Sequence, residues 1–422
     1  MDVFDFYMES TLSRRRSKHL QNALTALLSL PSKEKESRGL VFTPREIHQQ
    51  PDTWRNTFDK LSQQHSQILK FLEQAGIRPG SPNPPTVLLV GAGTSDYIGR
   101  SLSRLMRQQW QCEVIAIPST ELITNMAEFI LPHKEYLWIS FSRSGDSSEG
   151  VAVLEQALDR YPRQIRHLIV TCNQTGAMVQ RFAQKPGVMS ILLADAVNDR
   201  GLAMTSSFSN LVIAGLYLAY IYSPDTYKSL LVSLIGMGQR LLPMAADLTA
   251  QLANTPIGKV CFLGTGALQA VAEDSALKVL ELNAGKIHTI AQSFLGLRHG
   301  PLSSIDVTTL IVAYVSGDEH RRRYEIDMLE ELHRKQLGSA MLVVAPFFDG
   351  RLAALTPNVL VLQSPDGFPD GCRPPIDVIV GQLLGLFFAV KDGIHPDSPS
   401  SNGAISRVVS HVKIYPCARA EV

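Results

Sequence analysis

From Thr86 onward the chain alternates short, nearly continuous apolar runs with longer amphipathic stretches. Apolar runs without polar alternation are what strands need when a parallel sheet is covered on both faces. Strands are predicted at 87–90, 113–117, 136–140, 167–171 and 189–193. The same order then returns. Gly91 in VLLVGAG answers Gly264 in VCFLGTG, 173 positions on, and Gly145 in LWISFSRSG answers Gly317 in LIVAYVSGD, 172 positions on. HLIVTC pairs with AMLVVA, and the apolar stretch LVIAGLYLAYIY pairs with VIVGQLLGLFFAV. A near-constant period over independent landmarks predicts an internal duplication of an α/β unit.

Ahead of the repeat lies a helical pattern around Leu20, Leu24, Leu27 and Leu28, followed by a polar break, SKEKESRG. Thr43-Pro44-Arg45-Glu46 reads as a helix start with proline at its first position. A second helix is expected over 52–75, with Trp54, Phe58, Leu61, Ile68, Leu69 and Leu72 as its apolar members. The prolines of GIRPGSPNPP then impose a rigid loop. The expected division is an N-terminal helical arm at 1–50, a first α/β domain at 51–225, a second at 226–392 and a tail at 393–422. The tail begins with the loop-like HPDSPSSNG and is a candidate to pack over a site or a neighbouring subunit.

At 422 residues, 45% hydrophobic and 19% charged, the chain has the composition of a soluble globular protein with two or three domains. With 40 basic and 39 acidic residues there is no global field to draw in nucleic acid or an anionic membrane, so an anionic ligand must be held locally. The five cysteines are scattered without metal-ligand spacing, which suggests reduced thiols, a cytoplasmic location and no metal. Arg14-Arg15-Arg16 has no apolar segment behind it, so no secretory signal is expected, and the apolar run 211–222 is too short to span a bilayer.

Two stretches carry candidate chemistry. On the predicted helix within EDSALKVLELNAG, Asp274, Lys278 and Glu281 follow one another by four and three positions, which stacks them on one face. A cation between two carboxylates, with His299 in the nearby His299-Gly300-Pro301 turn, suits proton transfer on a sugar. The same spacing also describes an ordinary solvated ion-pair face. The second stretch is Ser142-Arg143-Ser144-Gly145-Asp146-Ser147-Ser148, between an apolar strand and a helix. Backbone donors at a helix N-terminus, helped by hydroxyls, suit a phosphate dianion; the same residues could simply cap the helix and form a turn. Its counterpart, VSGDEH, has lost most hydroxyls and gained acid, so the phosphate role is expected in the first copy only. Gly91-Ala92-Gly93-Thr94-Ser95-Asp96 fails as a dinucleotide fingerprint because Asp96 stands where glycine is needed, but its Thr94 and Ser95 hydroxyls could face a sugar or phosphate. Met204-Thr205-Ser206-Ser207 could line a pocket or only cap the buried helix that follows.

In combination, GAGTS, SRSGDSS, LAMTSSFSN and ALKVLEL with RHGP resemble a tandem sugar isomerase (SIS) domain protein over nearly the whole chain. The galactosamine-6-phosphate deaminase/isomerase family, also labelled tagatose-6-phosphate ketose/aldose isomerase, is the one it resembles; the isomerase half of glucosamine-6-phosphate synthase is more distant. The resemblance implies two tandem SIS domains, each a parallel five-stranded sheet flanked by helices. It also implies Ser142, Ser144 and Ser147 as phosphate ligands, with Thr94, Ser95 and Thr205 beside the sugar. Glu281 matches the base that moves a proton between C2 and C1, His299 the ring-opening histidine, and Lys278 a lysine that orients the carboxylate or a substrate hydroxyl. Asp274 stands where the synthase has a glutamate, and Arg407 where it has a Schiff-base lysine, so covalent catalysis through the tail is not expected. The implied activity is conversion of galactosamine 6-phosphate to tagatose 6-phosphate and ammonia, without cofactor, in a homo-oligomer. The alternatives are a plain aldose–ketose isomerase and a non-catalytic sugar-phosphate regulator.

Overall fold

The computed structural model describes residues 21–409 and 412–415. Arg14-Arg15-Arg16, His19, Leu20, His411 and Cys417 lie outside the described residues. The arm opens with α1 (Ala23–Leu28), whose first amides are capped by Asn22 Oδ1, 3.1 Å from the Leu24 nitrogen. The polar segment expected as a break is instead helix α2 (Ser32–Arg38), bounded by Pro31 and by Gly39 at φ 61°. It buries no residue of its own, so it carries no apolar period that could have announced it. Helix α3 (Thr43–His48) starts one residue ahead of its proline, and the single helix expected over 52–75 is two, α4 (Gln50–Gln63) and α5 (His65–Gln74), parted at Gln64, whose φ of −101° and ψ of 6° leave the helical region.

The first sheet then forms from β1 (Thr86–Gly91), α6 (Thr94–Trp110), β2 (Val114–Pro118), α7 (Ser119–Phe129), β3 (Tyr136–Ser142), α8 (Ser148–Arg160), β4 (Ile165–Thr171), α9 (Ala177–Phe182) and β5 (Val188–Leu192). Two apolar helices follow, α10 (Ser206–Ala219) and α11 (Pro224–Ala253). The second sheet is built from β6 (Lys259–Gly264), α12 (Ala267–Leu282), β7 (His288–Gln292), α13 (Phe294–Leu297), β8 (Thr309–Tyr314), α14 (Glu319–Arg334), β9 (Ala340–Ala345), α15 (Gly350–Leu355) and β10 (Val359–Val361), closed by α16 (Pro374–Lys391). Both sheets are five-stranded and parallel, in orders β2-β1-β3-β4-β5 and β7-β6-β8-β9-β10. Identical order in two successive sheets is what the repeated sequence pattern predicts. In each, the direction of connection reverses between the first strand and the third, so a crevice opens at their carboxyl ends.

Helices α10 and α16, the paired apolar stretches, are buried almost along their whole length. By length and composition α11 and α16 could cross a membrane, but 89% of the apolar window of α16 is buried inside the fold. Small residues let these helices lie against α6 and α12, which carry the candidate residues. A Cβ on Gly215 of α10 would sit 2.1 Å from Leu102 Cδ1 on α6, and one on Gly381 of α16 would sit 2.3 Å from Ser275 Cβ on α12. One turn further, a Cβ on Gly385 would lie 2.8 Å from the Lys278 carbonyl oxygen. The glycine pair on α16 therefore fixes how closely α12 approaches. Gly381→Ala should lower the stability read from a urea unfolding curve by about 1–3 kcal/mol, despite the better helix propensity of alanine, because backbone atoms of Ser275 cannot rotate out of the way.

Candidate active site

Most of the candidate residues meet in the crevice of the first sheet. Strand β1 ends at Gly91, where a Cβ would collide with the Ser95 carbonyl at 2.4 Å, and Gly93 turns the chain at φ 54°. Only this tight reversal brings Thr94 and Ser95, the first residues of α6, over the end of the strand. Strand β3 ends at Ser142 and its loop reaches α8 with Ser147 in the N-cap position. Within the loop the Ser142 hydroxyl oxygen accepts the Gly145 N–H at 2.9 Å and the Ser144 hydroxyl oxygen accepts the Asp146 N–H at 3.2 Å. Both oxygens are thus used as acceptors while their protons remain free to be donated to an anion. Asp146 faces away and accepts the Ala177 N–H at 2.7 Å. Gly150 leaves room for Ser147, whose Oγ would lie 2.5 Å from a Cβ placed there.

Helix α12 of the second copy supplies the rest. Lys278 is completely buried; its Nζ donates to Thr94 Oγ1 at 2.8 Å and to Glu281 Oε2 at 2.5 Å, and lies 4.0 Å from Asp274 Oδ1. Glu281 is the partly exposed member, with 22% of its side chain accessible, and it opens onto the cavity. The three charges do share one helix face, and the face is interior: the solvated ion-pair alternative does not describe it. Among the described residues neither oxygen of buried Asp274 has a partner in hydrogen-bond geometry, and burial pushes its carboxyl up to about 7 against the pull of Lys278 and the nearby Thr94 hydroxyl.

The resulting cavity measures about 540 Å³ and is lined by both glycine and serine loops, by Glu281 and by residues 404–409 of the tail, which close over it. Thr94, Ser95, Ser142, Ser144, Ser147, Glu281 and Arg407 all reach its wall. The tail is held by backbone contacts. Val409 offers its carbonyl to the Ser148 N–H at 3.3 Å, and the Arg407 carbonyl receives Arg143 Nη2. The guanidinium of Arg407 donates to the Asp199 carbonyl and to Asn198 Oδ1, each at 2.7 Å, and so anchors the tail.

Two expected site residues stand elsewhere. Thr205 is fully buried at the N-terminus of α10, where Asp199 accepts its N–H at 2.8 Å and the Ser207 N–H at 2.8 Å; the Thr205 hydroxyl also turns to Asp199 at 3.3 Å and makes no cap of its own, whereas Met204 lines the cavity. His299 is exposed in the loop after α13 and is absent from the cavity wall of its own chain. Sequence reading missed Arg143, buried and donating to the carbonyls of Gly201 and Leu202 at 3.3 and 2.9 Å, and it missed Ser119 and Thr120, which follow β2 onto the wall. An arginine between the serines of a hydroxyl loop was the available signal.

A doubled parallel sheet of one order, with a hydroxyl loop from the first copy facing a lysine–glutamate pair from the second, defines a tandem SIS-domain protein. No protein-family model matches the chain. A D-galactosamine-6-phosphate deaminase AgaS of Escherichia coli O157:H7 is 33% identical over 378 residues, covering 89% of this chain and 96% of that protein. The solved tagatose-6-phosphate ketose/aldose isomerase of Escherichia coli is 31% identical, with a TM-score of 0.79 over 90% of this chain and 97% of its own. A structure from Clostridium novyi NT gives a TM-score of 0.85 at 29% identity, over 91% of this chain and 97% of its own. The chain belongs to the D-galactosamine-6-phosphate deaminase AgaS family.

The Asp274 environment has a measurable sign. A carboxyl whose pKa is higher in the folded than in the unfolded chain binds its proton more tightly when folded, so its contribution is present at acid pH and is lost as pH rises through about 7. Asp274→Asn should remove this part of the decline, making stability between pH 4 and pH 7 flatter than in the wild type by roughly 1–4 kcal/mol across the range. Parallel slopes in the two proteins would show that Asp274 titrates normally.

Proposed function

We propose that the enzyme converts galactosamine 6-phosphate to tagatose 6-phosphate and ammonia. The observation that carries this reading is the contact of Lys278 with both Thr94 and Glu281 at the rim of a hydroxyl-lined cavity. The phosphate is bound by Ser142, Ser144 and Ser147 at the N-terminus of α8. The sugar then extends toward Thr94, Ser95 and Glu281. After ring opening gives the aldehyde, Glu281 removes the proton from C2 and the electron pair shifts to form an enolamine. Return of the proton to C1 leaves an imine at C2, and water adds there as ammonia departs, leaving the ketone. Lys278 donates to Glu281 and so orients the carboxylate that acts as the base. These residues suffice for enolisation, and the reading calls on no cofactor.

Ring opening falls to His299 in this reading. Because that side chain is exposed and off the cavity of its own chain, we place it in the site of a second copy, within a homo-oligomer. Mixing inactive His299→Ala and Glu281→Gln proteins under conditions that exchange subunits should then restore measurable turnover, since a mixed assembly holds one intact site. Failure of mixed assemblies to recover any activity would sink the shared-site reading.

The similarity to a solved tagatose-6-phosphate ketose/aldose isomerase supports one alternative, plain aldose–ketose isomerisation without loss of nitrogen. Incubation with galactosamine 6-phosphate, with glucosamine 6-phosphate in parallel, separates the two and reads the C4 preference. Ammonia and tagatose 6-phosphate in equal amounts are expected from the galacto substrate. Glu281→Gln should lower kcat by roughly 10²–10⁴-fold while leaving substrate affinity within a few fold. Unreactive amino sugars alongside interconversion of galactose 6-phosphate and tagatose 6-phosphate would establish the alternative.

A further inference from the structure

The second sheet has a crevice of its own at the carboxyl ends of β6 and β8, with a cavity of about 360 Å³. It occupies the place in that sheet that the active-site cavity occupies in the first. The same two helices bound both. Helix α6 starts at Thr94 in the active-site cavity and brings Leu105 and Gln108 to the second; α12 starts at Ala267 in the second and brings Glu281 to the first.

The repeat maps the reactive positions directly. Subtracting 173 places Leu105 opposite Lys278 and Gln108 opposite Glu281, so the base is replaced by a neutral amide and its cation by an apolar side chain. With a spacing of 172, Ser142 and Ser147 correspond to Tyr314 and Glu319, and Ser144 corresponds to Ser316. The Ser316 hydroxyl is already committed to Asp370, whose carboxylate also accepts the Gly317 N–H at 2.9 Å. An enolisation site has been lost, and the loop that would hold a phosphate is filled by a carboxylate of the chain itself.

Two guanidinium groups stand in exchange. A Cβ on Gly266 would lie 3.2 Å from Arg104 Nη1 and 3.9 Å from Arg321 Nη1, so both cations converge on that turn at the start of α12. The Arg104 side chain has no hydrogen bond or ion pair among the described residues. Arg321 Nη1 is 3.4 Å from Asp370 Oδ2, but that carboxylate is shared with buried Arg373, 3.1 Å away. Asp318 also lines the cavity, with its carboxylate capping α14 through the Arg321 N–H at 2.9 Å. Like charges directed at one point repel unless an anion lies between them, and paired guanidiniums fit the oxygens of a phosphate.

We propose that this second cavity is a non-catalytic binding site for a sugar-sized phosphomonoester, its phosphate held between Arg104 and Arg321 at the Gly266 turn. The ligand class rests on the reading of the duplicated active-site cavity as a sugar-phosphate site. The test is calorimetric titration of the full chain with galactitol 6-phosphate, which lacks a carbonyl and cannot be isomerised, and in parallel with inorganic phosphate. Wild type should bind the hexitol phosphate at two sites per chain. Arg104→Ala should weaken one by about tenfold or more, and Ser147→Ala the other. Arg321→Ala serves as the second variant if the first does not fold. A single site, lost in Ser147→Ala and unchanged in Arg104→Ala, overturns the inference and leaves the active-site reading standing. A single site lost in Arg104→Ala alone supports the inference and removes the active-site reading. Inorganic phosphate binding at Arg104 with no hexitol phosphate there overturns the sugar-sized ligand.

Discussion

The arrangement of the molecule follows from one buried cation. A lysine without solvent is tolerated only when its ammonium group is paired and hydrogen-bonded. Lys278 meets that condition through a hydroxyl from the first copy and a carboxylate from its own helix, with Thr94 at 2.8 Å and Glu281 at 2.5 Å. Satisfying it forces α12 of the second copy against the first glycine turn of the first copy. Glu281 is thereby held at the rim of a cavity whose remaining walls belong to another sheet. The close crossing that permits this depends on Gly381 and Gly385, which let the backbone of α16 approach α12 at Ser275 and Lys278.

A second set of ionisable side chains, buried or half-buried, closes the cavity from the other side. Arg143 ties the loop at 201–202 to the tail, and Arg407 ties the tail to Asn198 and Asp199. Asp397 accepts the N–H groups of Val41, Phe42 and Thr43 at 2.7, 3.0 and 2.7 Å and so fastens the tail to the arm. Glu46 in the arm accepts the Arg200 N–H at 2.6 Å; burial, with Asp199 nearby, raises its carboxyl to about 8. Arm, loop and tail are thus joined to one another by polar contacts to backbone groups, which leave no periodic trace in the sequence as buried strands do.

This difference explains what the sequence disclosed. The two sheets were legible because strands buried on both faces leave continuous apolar runs, and the repeat doubled the signal. The loop of serines was legible as the link from a strand to a helix, because glycine and serine cluster where an apolar run stops, though capping and anion binding draw on the same residues. Helix α2 was not, since it buries nothing, and the parting of α4 from α5 at Gln64 left no proline or glycine to mark it. The spacing of Asp274, Lys278 and Glu281 gave one helix face without saying whether water or protein covered it. That was settled by Thr94, 184 positions away. Arg143 escaped notice because its partners are carbonyl oxygens, which every residue has. Thr205 looked like a ligand because a hydroxyl at a helix start can bind or cap; here it does neither, since Asp199 takes both its N–H and its hydroxyl.

The duplication accounts for the division of labour. Helices α6 and α12 each begin at the glycine turn of their own sheet and end against the turn of the other. Each crevice is therefore lined by residues from both halves of the chain. The backbone treats the two crevices alike; the side chains at the far ends of the two helices do not. Where α12 delivers Lys278 and Glu281, α6 delivers Leu105 and Gln108, and where one crevice keeps free hydroxyls the other has Asp370. A handful of differences at helix ends gives one crevice a lysine–glutamate pair and the other a leucine and a glutamine, and they leave the core that positions both untouched.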